Sequence, residues 1–485
     1  MKHQNRTTAL ILGWVAVTTA TCALAQDWPQ WRGPNRDAKA AGFNPPKVWP
    51  KELAQKWQVT VGDGVATPAL AGDKLYVFSR QEGYEILRCL SVADGKELWQ
   101  DKYESLGAGG PAQGFSGPRS SPAVDHGKVV TLGVRGMLSC LDAATGKKLW
   151  RKDEFQAWPN FHPSSSPMLI DGLVVAQLGG RDNGALVAYD LASGEQKWKW
   201  NGPSPAYASP VLLKLATTKL IVAQTESKLV AVDAADGKLV WEEQGGGGPG
   251  GSGPGGGGGR GMGGGRDYKA ATPIIDGESI IISGRGLRAV KLDKERESIV
   301  AKELWSNPEK SVQFNTPVLK NGLLYGLAPN NELFCVAAKD GRLAWSVPFP
   351  GGATPPAASG RAAIDRPIAF AIFGAVPPGE PPPGRPPGEP PPGRPAGGPG
   401  GPGGRRGMGG GMGGDAGYGS IVDAGAVLLA LTPNAQLIVF EPSDKEFKQL
   451  ASYKVATGQT HAYPVASGNR IFIKDKDAVT LWTVE

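Results

Sequence analysis

One sentence is repeated along most of this chain, and its fullest copy is SSPAVDHGKVVTLGVRGMLSCLDAATGKKLW, from Ser120 to Trp150. Each copy begins with a small hydroxyl residue followed by proline: Thr67-Pro68, Ser121-Pro122, Ser166-Pro167, Ser209-Pro210, Thr272-Pro273 and Thr316-Pro317. Ser420-Ile421 and Tyr463-Pro464 are weaker copies. Neighbouring anchors Pro122, Pro167 and Pro210 stand 45 and 43 residues apart, and longer gaps hold insertions. A fixed period of this size is the mark of a repeat architecture, in which each unit buries its apolar face against the next.

Every unit contains short runs of β-branched and aromatic residues, such as Lys74–Phe78 and Lys219–Ala223, bounded by Gly and Asp. Such runs read as buried strands, and four fit one unit. The last two are joined by Asp94-Gly95, Thr145-Gly146, Ser193-Gly194, Asp236-Gly237 or Asp340-Gly341, pairs that accept the positive φ of a tight hairpin. A tryptophan then closes the unit: Trp99, Trp150, Trp198, Trp241, Trp305 and Trp345. The seventh unit is degenerate over Phe447–Tyr453, and the eighth stops at Trp482 without an outer strand. Lys56–Val61, near the other terminus, looks like an outer strand with no unit ahead of it. The expectation is an all-β, eight-bladed β-propeller of four-stranded antiparallel blades, with N- and C-terminal strands sharing the last blade; closure of the ring removes exposed edges.

Cys89, Cys140 and Cys335 each precede the closing tryptophan of their unit by ten residues, where Ala188 and Ala231 stand in sister units. The shared register predicts buried free thiols acting as small hydrophobes; a bridge between Cys89 and Cys140 is the alternative. The fourth cysteine, Cys22, follows Thr19-Ala20-Thr21 and lacks the leucine expected ahead of a lipidated cysteine.

Residues 1–25 read as a signal peptide: Lys2 and Arg6, an apolar run from Ala9 to Val17, and Ala23-Leu24-Ala25 as the cleavage site. The expected location is therefore the periplasm or cell envelope, with residues 26–485 as the mature propeller. No later segment reaches the about 18 apolar residues a membrane-spanning helix requires. Loss of Lys2 and Arg6 lowers the formal charge from +7 to +5. The arginines that make the chain basic are scattered in glycine-rich tracts without base-stacking aromatics, so no nucleic-acid partner is expected. Two tracts break the repeat. A Gly-rich insert spans 245–266 and a Pro/Gly-rich insert spans 351–414, both too poor in apolar residues to order themselves; within the second, Ile364–Val376 is apolar enough for an extra strand.

The (S/T)P start and the L-x-A-x-D-x-x-(T/D)-G-K-x-x-W finish resemble the pyrroloquinoline-quinone (PQQ) repeat family of eight-bladed propellers, over about Trp57 to Trp482. The opening Asp27-Trp-Pro-Gln-Trp-Arg-Gly-Pro-Asn-Arg-Asp37 resembles the entry segment of many exported bacterial members. The resemblance implies either of two functions. One is a non-enzymatic envelope module like the outer-membrane assembly factor BamB, with an envelope protein or polymer as partner. The other is a quinoprotein dehydrogenase carrying PQQ with calcium and oxidising an alcohol or sugar. Such dehydrogenases sandwich the quinone against an adjacent-cysteine disulfide, and no two cysteines are adjacent here. The histidines show no ligand spacing, and His126 falls in a hairpin loop. The reading is a monomeric scaffold with no catalytic residue, no metal site and no cofactor. The family's geometry places the residues before each inner strand at the channel rim: Arg119, His162, Tyr207, Tyr268, Asn315, Tyr418 and His461. Their variety at one register position marks them as candidate binding residues.

Overall fold

Pairing of the short apolar runs gives eight antiparallel sheets of four strands each. The computed structural model describes residues 27–244, 269–295, 298–349 and 418–485. The signal peptide, both inserts, Ile364–Val376 and the rim candidate Tyr268 lie outside the described residues. Blade 1 is typical, with an inner strand Ala69–Ala71 followed by Lys74–Gln81, Tyr84–Ser91 and an outer strand Glu97–Glu104. Burial rises from the solvent-facing outer strand to the middle strands, whose side chains pack on both faces against neighbouring blades. Near-continuous apolar runs are what two-sided burial demands.

Ring closure follows the expected route. Blade 8 takes Val465–Ser467, Arg470–Lys474 and Ala478–Thr483 from the C-terminus. Its outer strand is Ala54–Thr60, paired antiparallel so that Gln58 faces Thr480 and Thr60 faces Ala478.

Each closing tryptophan does more than cover its own sheet. In blades 1 to 6 it stands opposite the cysteine or alanine of the third strand, Cys89 across from Trp99 and Ala188 across from Trp198, whereas Trp57 in blade 8 stands opposite Leu481. Its indole N–H then donates to the turn of the next blade: Trp57 to Val92 O at 2.9 Å, Trp150 to Leu191 O at 3.1 Å, Trp198 to Ala234 O at 3.0 Å. In blade 7 the tryptophan's register is held by Ala451, opposite Val439, which explains the degenerate seventh unit. The turn aspartate is explained too. Asp142 Oδ1 accepts from the backbone N–H groups of Ala144 and Thr145 at 3.1 and 2.8 Å, and so serves the hairpin.

The anchor hydroxyls have a structural purpose that the repeat alone does not reveal. The N–H of Thr67 donates to Ser121 Oγ, Ser121 to Ser166 Oγ, Ser166 to Ser209 Oγ, Ser209 to Thr272 Oγ1 and Thr272 to Thr316 Oγ1, all at 2.9–3.0 Å. Tyr463 N–H donates to Thr67 Oγ1 and carries the belt across the seam between blades 8 and 1. Six buried interblade bonds thus tie seven blades, each net about 1 kcal/mol. The following proline has no N–H to satisfy at this crowded step.

Cys89, Cys140 and Cys335 are free and fully buried. Desolvation pushes the thiols up to about 11, 12 and 12. Native protein is therefore expected to react with a thiol reagent at pH 8 far more slowly than denatured protein, which should titrate three thiols without prior reduction. A peptide linking Cys89 to Cys140 in non-reducing mass spectrometry would contradict this.

Candidate functional site: the two ends of the channel

The channel is occupied from one side by the N-terminal segment 27–44. Trp28 and Leu70 exchange backbone bonds at 2.8–2.9 Å, Val124 N–H donates to Pro29 O, Ala40 N–H to Asp423 O, and Asn44 N–H to Gly468 O. Two arginines extend the attachment: Arg32 donates to Pro317 O at 2.8 Å, and Arg36 to Ser166 O and Pro167 O at 2.9 and 2.8 Å. The segment is thus bonded to blades 1, 2, 3, 6, 7 and 8. Trp31 meets Tyr463 edge-on, and the guanidinium carbons of Arg32 and Arg36 lie 5.5 and 5.7 Å from the Trp31 ring.

The opposite end is the mouth, where residues 105–119 loop between blades 1 and 2. Asp63 fixes this loop, its Oδ2 accepting from Ser116 N–H and Oγ–H and from Gly117 N–H. Beside it Lys474, 1% exposed, donates to Gly62 O, Gly64 O, Asp475 O and Lys476 O. Burial lowers this ammonium to about 8, against the pull of Asp475, Asp477 and Asp63.

The rim residues take diverse roles. Arg119 turns back on the loop and donates to Ala112 O, Phe115 O and Gly117 O. Desolvation lowers its pKa, opposed by Asp63, Tyr418 and Tyr207. Asn315 is buried and exchanges bonds with the backbone of Leu327 in its own blade. Tyr207 Oη accepts from Phe161 N–H, and the Phe161 and Tyr207 rings meet edge-on at 5.7 Å. Tyr418 stacks on Phe314 at 4.3 Å and meets His461 at 5.1 Å; His461 in turn meets Phe115 at 4.8 Å. The structure therefore draws Tyr418, His461, Phe314 and Phe115 into one aromatic cluster. Phe115 was invisible to repeat reasoning because it lies in an insertion; its only signal was a lone aromatic in a Gly-rich loop.

His162 is buried at φ +65°, stacked on Trp158 at 5.8 Å. Its Nδ1 lies 2.9 Å from Val134 O and its Nε2 accepts from Gly109 N–H at 3.0 Å. A ring with one nitrogen toward a carbonyl and the other accepting is a neutral tautomer, and it ties blade 3 to the 105–119 loop. Desolvation lowers its pKa, and Arg119 and Arg135 add to that. The unfolded chain therefore binds the proton more readily than the fold, so the stability His162 gives is present above the unfolded value of about pH 6.5 and is lost as pH falls below it through the lowered folded pKa. His162→Asn, which tolerates the left-handed backbone, should show a smaller drop in melting temperature between pH 7.5 and 5.5 than the parent. Equal slopes would remove His162 from the pH response.

The three described cysteines sit in three separate blades, and among the described residues no three of His, Cys, Asp or Glu gather to hold an ion. Arg119, His162 and Asn315, which could meet a quinone's carboxylates, are committed to backbone groups.

Fold and channel define an eight-bladed propeller with its own N-terminal segment bonded across the inner strands at one end. The chain belongs to the PQQ-like repeat family described as "Outer membrane protein assembly factor BamB", whose model matches residues 82–347, more than half of the chain. Among curated relatives, the quinohemoprotein alcohol dehydrogenase of Comamonas testosteroni is 25% identical over 241 residues, covering 47% of this chain and 31% of that protein. BamB of Xanthomonas campestris pv. campestris is 35% identical over 115 residues, covering 23% and 27%. The chain thus spans less than a third of either relative. Among solved structures, BamB of Moraxella catarrhalis aligns at TM-score 0.53 and 13% identity over 89% of this chain and 97% of that one. The Comamonas testosteroni dehydrogenase aligns at 0.59 and 14% over 94% and 80%. At such identities the alignments speak for the fold alone. Among the described residues no helix is long and apolar enough to cross a membrane.

Proposed function

We propose that this chain is an exported, non-catalytic propeller of the bacterial cell envelope that binds a protein partner through its channel mouth. One observation carries the reading: Arg119, His162, Asn315 and Lys474 at the mouth are turned onto backbone, while Phe115, Phe161, Tyr207, Phe314 and Tyr418 remain half-buried along it. Aromatic groups that keep one face toward solvent are the usual anchors of protein interfaces, whereas a catalytic site needs converging polar groups. The family description and the BamB relatives support an envelope assembly role. The dehydrogenase relatives keep the alternative, oxidation of an alcohol or sugar with PQQ and calcium, worth testing directly.

Two measurements decide. Protein incubated with PQQ and calcium should give no dye-linked turnover; quinone-dependent turnover abolished by substituting a mouth residue would refute the scaffold reading. A photo-crosslinking residue at Phe115 or Tyr207 should capture one envelope protein in cells, and the same residue at Leu98, on the outer strand of blade 1, should not. Equal capture from both positions would place the interface elsewhere.

A further inference from the structure

The inner strand of each blade turns one edge to the axis, and the N-terminal segment shows what that edge accepts. In blade 1 Leu70 stands opposite Leu75, one step from the closing pair of Ala71 and Lys74. Alternate residues of an antiparallel strand turn their N–H and C=O away from the partner strand. Those of Leu70 therefore face the axis, where Trp28 bonds to both at 2.8 and 2.9 Å. Val124 and Asp423 hold the same position in blades 2 and 7; Val124 N–H donates to Pro29 O, Asp423 N–H donates to Ala38 O, and Asp423 O accepts from Ala40 N–H.

Blades 4 and 5 carry the same edge uncovered. Blade 4 has a longer inner strand, Val211–Leu215, closed by Leu215 opposite Thr218. Two of its residues, Leu212 opposite Ile221 and Lys214 opposite Lys219, thus turn their backbone groups to the axis, and Ile275 opposite Ile280 does so in blade 5. Among the described residues nothing bonds to these outward N–H and C=O groups. Leu70 under its cover is 1% exposed, whereas Leu212 and Ile275 are half-buried and Lys214 is exposed. A cleft of about 540 Å³ lies here, lined by Asn35 and Arg36 of the N-terminal segment and by Met168, Ile170, Leu212 and Lys214 of blades 3 and 4. An open strand edge beside an apolar cleft is a template for a further strand.

We infer that the cleft receives an extended segment of a partner protein, which adds to blade 4 as a strand paired with Leu212 and Lys214 and continues the backbone bonding that the N-terminal segment makes on blades 1, 2 and 7. The segment is apolar opposite Leu212, which packs with Met168 and Ile170. It is acidic opposite Lys214, because opposite charges are favoured across a strand pair. In strand addition of this kind main-chain bonds give affinity and alternate side chains give selectivity. The cleft lies at the end of the channel away from the aromatic mouth and stands independently of the scaffold reading.

The test uses full-length protein and the fluorophore-labelled peptide acetyl-Thr-Glu-Thr-Val-Thr-amide, which in the antiparallel sense of Trp28 and Leu70 sets its glutamate opposite Lys214 and its valine opposite Leu212. Anisotropy should show saturable binding, and the peptide should slow exchange of the Leu212 and Lys214 amide hydrogens. Methylating the valine nitrogen removes a donor from the ligand alone and should weaken binding about tenfold, the value of one hydrogen bond. Lys214→Pro removes an outward N–H and leaves the ladder intact, as proline permits at a strand edge. It should weaken binding at least as much while hardly moving the melting temperature of the free protein; if it folds poorly, the methylated peptide decides. No binding, or equal affinity for methylated and unmethylated peptide, would overturn strand addition. Self-association of the free protein that Lys214→Pro abolishes would assign the edge to a second copy of the chain and overturn it as well.

Discussion

Protein lacking residues 27–62 is expected to be insoluble or unfolded. The deletion strips the outer strand from blade 8, exposing the edge of Ala478–Thr483, and empties the channel. It also removes Trp28, Phe43, Leu53, Trp57 and Val61, all buried in the largest core cluster of the ring. At about 2–5 kcal/mol for each large side chain, the loss exceeds the ~5–15 kcal/mol by which a domain is stable. A graded version isolates one contact: Trp57→Ala should cost about 3–5 kcal/mol by denaturant titration. Trp57 packs on Phe472 of its own blade at 6.0 Å and on the turn of blade 1 through Val92 O, so it bolts the seam where the chain's two ends meet. A soluble deletion variant with an unchanged unfolding midpoint would refute the shared blade.

Almost all of the architecture was legible in the sequence, because a propeller writes its geometry as a period. Strand order, the shared eighth blade, the glycine turns and the cysteine register follow from spacing, since each is a local requirement repeated many times. What escaped is what crosses between units. The hydroxyl of each anchor was visible, but the N–H that donates to it lies one blade away, some 45 residues upstream, and no local rule pairs Ser166 with Ser121. The rim was only partly readable. Its residues share a register, yet Asn315 is spent on its own blade, His162 on the neighbouring loop, and Tyr418 and His461 on an aromatic cluster completed by Phe115 and Phe314. Arg32 and Arg36 were present in a noted motif, but only the fold shows that both are buried and donate to carbonyls of blades 6 and 3. Lys474 was not singled out by the repeat, because the carbonyls of Gly62 and Gly64 that receive its ammonium come from some 410 residues away in the chain.

Gly146→Val is expected to be among the most damaging single substitutions in the chain. Gly146 adopts φ +73°, a backbone region that costs an L residue about 1–2 kcal/mol, and more for a β-branched one. A Cβ there would also stand 2.5 Å from Cε3 of Trp99, the closing tryptophan of the preceding blade. Overpacking of that kind adds a further ~1–3 kcal/mol, because Trp99 cannot retreat without giving up its contact with Tyr76 and its bond to Ala143 O. A total of roughly 2–5 kcal/mol follows from these two terms. Gly127 separates them. It has φ +70° but open space around its Cβ position, so Gly127→Val should pay only the backbone term and lose about 1–2 kcal/mol. Turn glycines at the blade interface would then be doubly determined, by handedness and by the indole that packs over them, while Gly127 in an inner hairpin is determined by handedness alone. Equal destabilisation of the two variants in denaturant titrations would show that backbone strain accounts for the whole effect, and that the tryptophan yields when a side chain is placed beneath it.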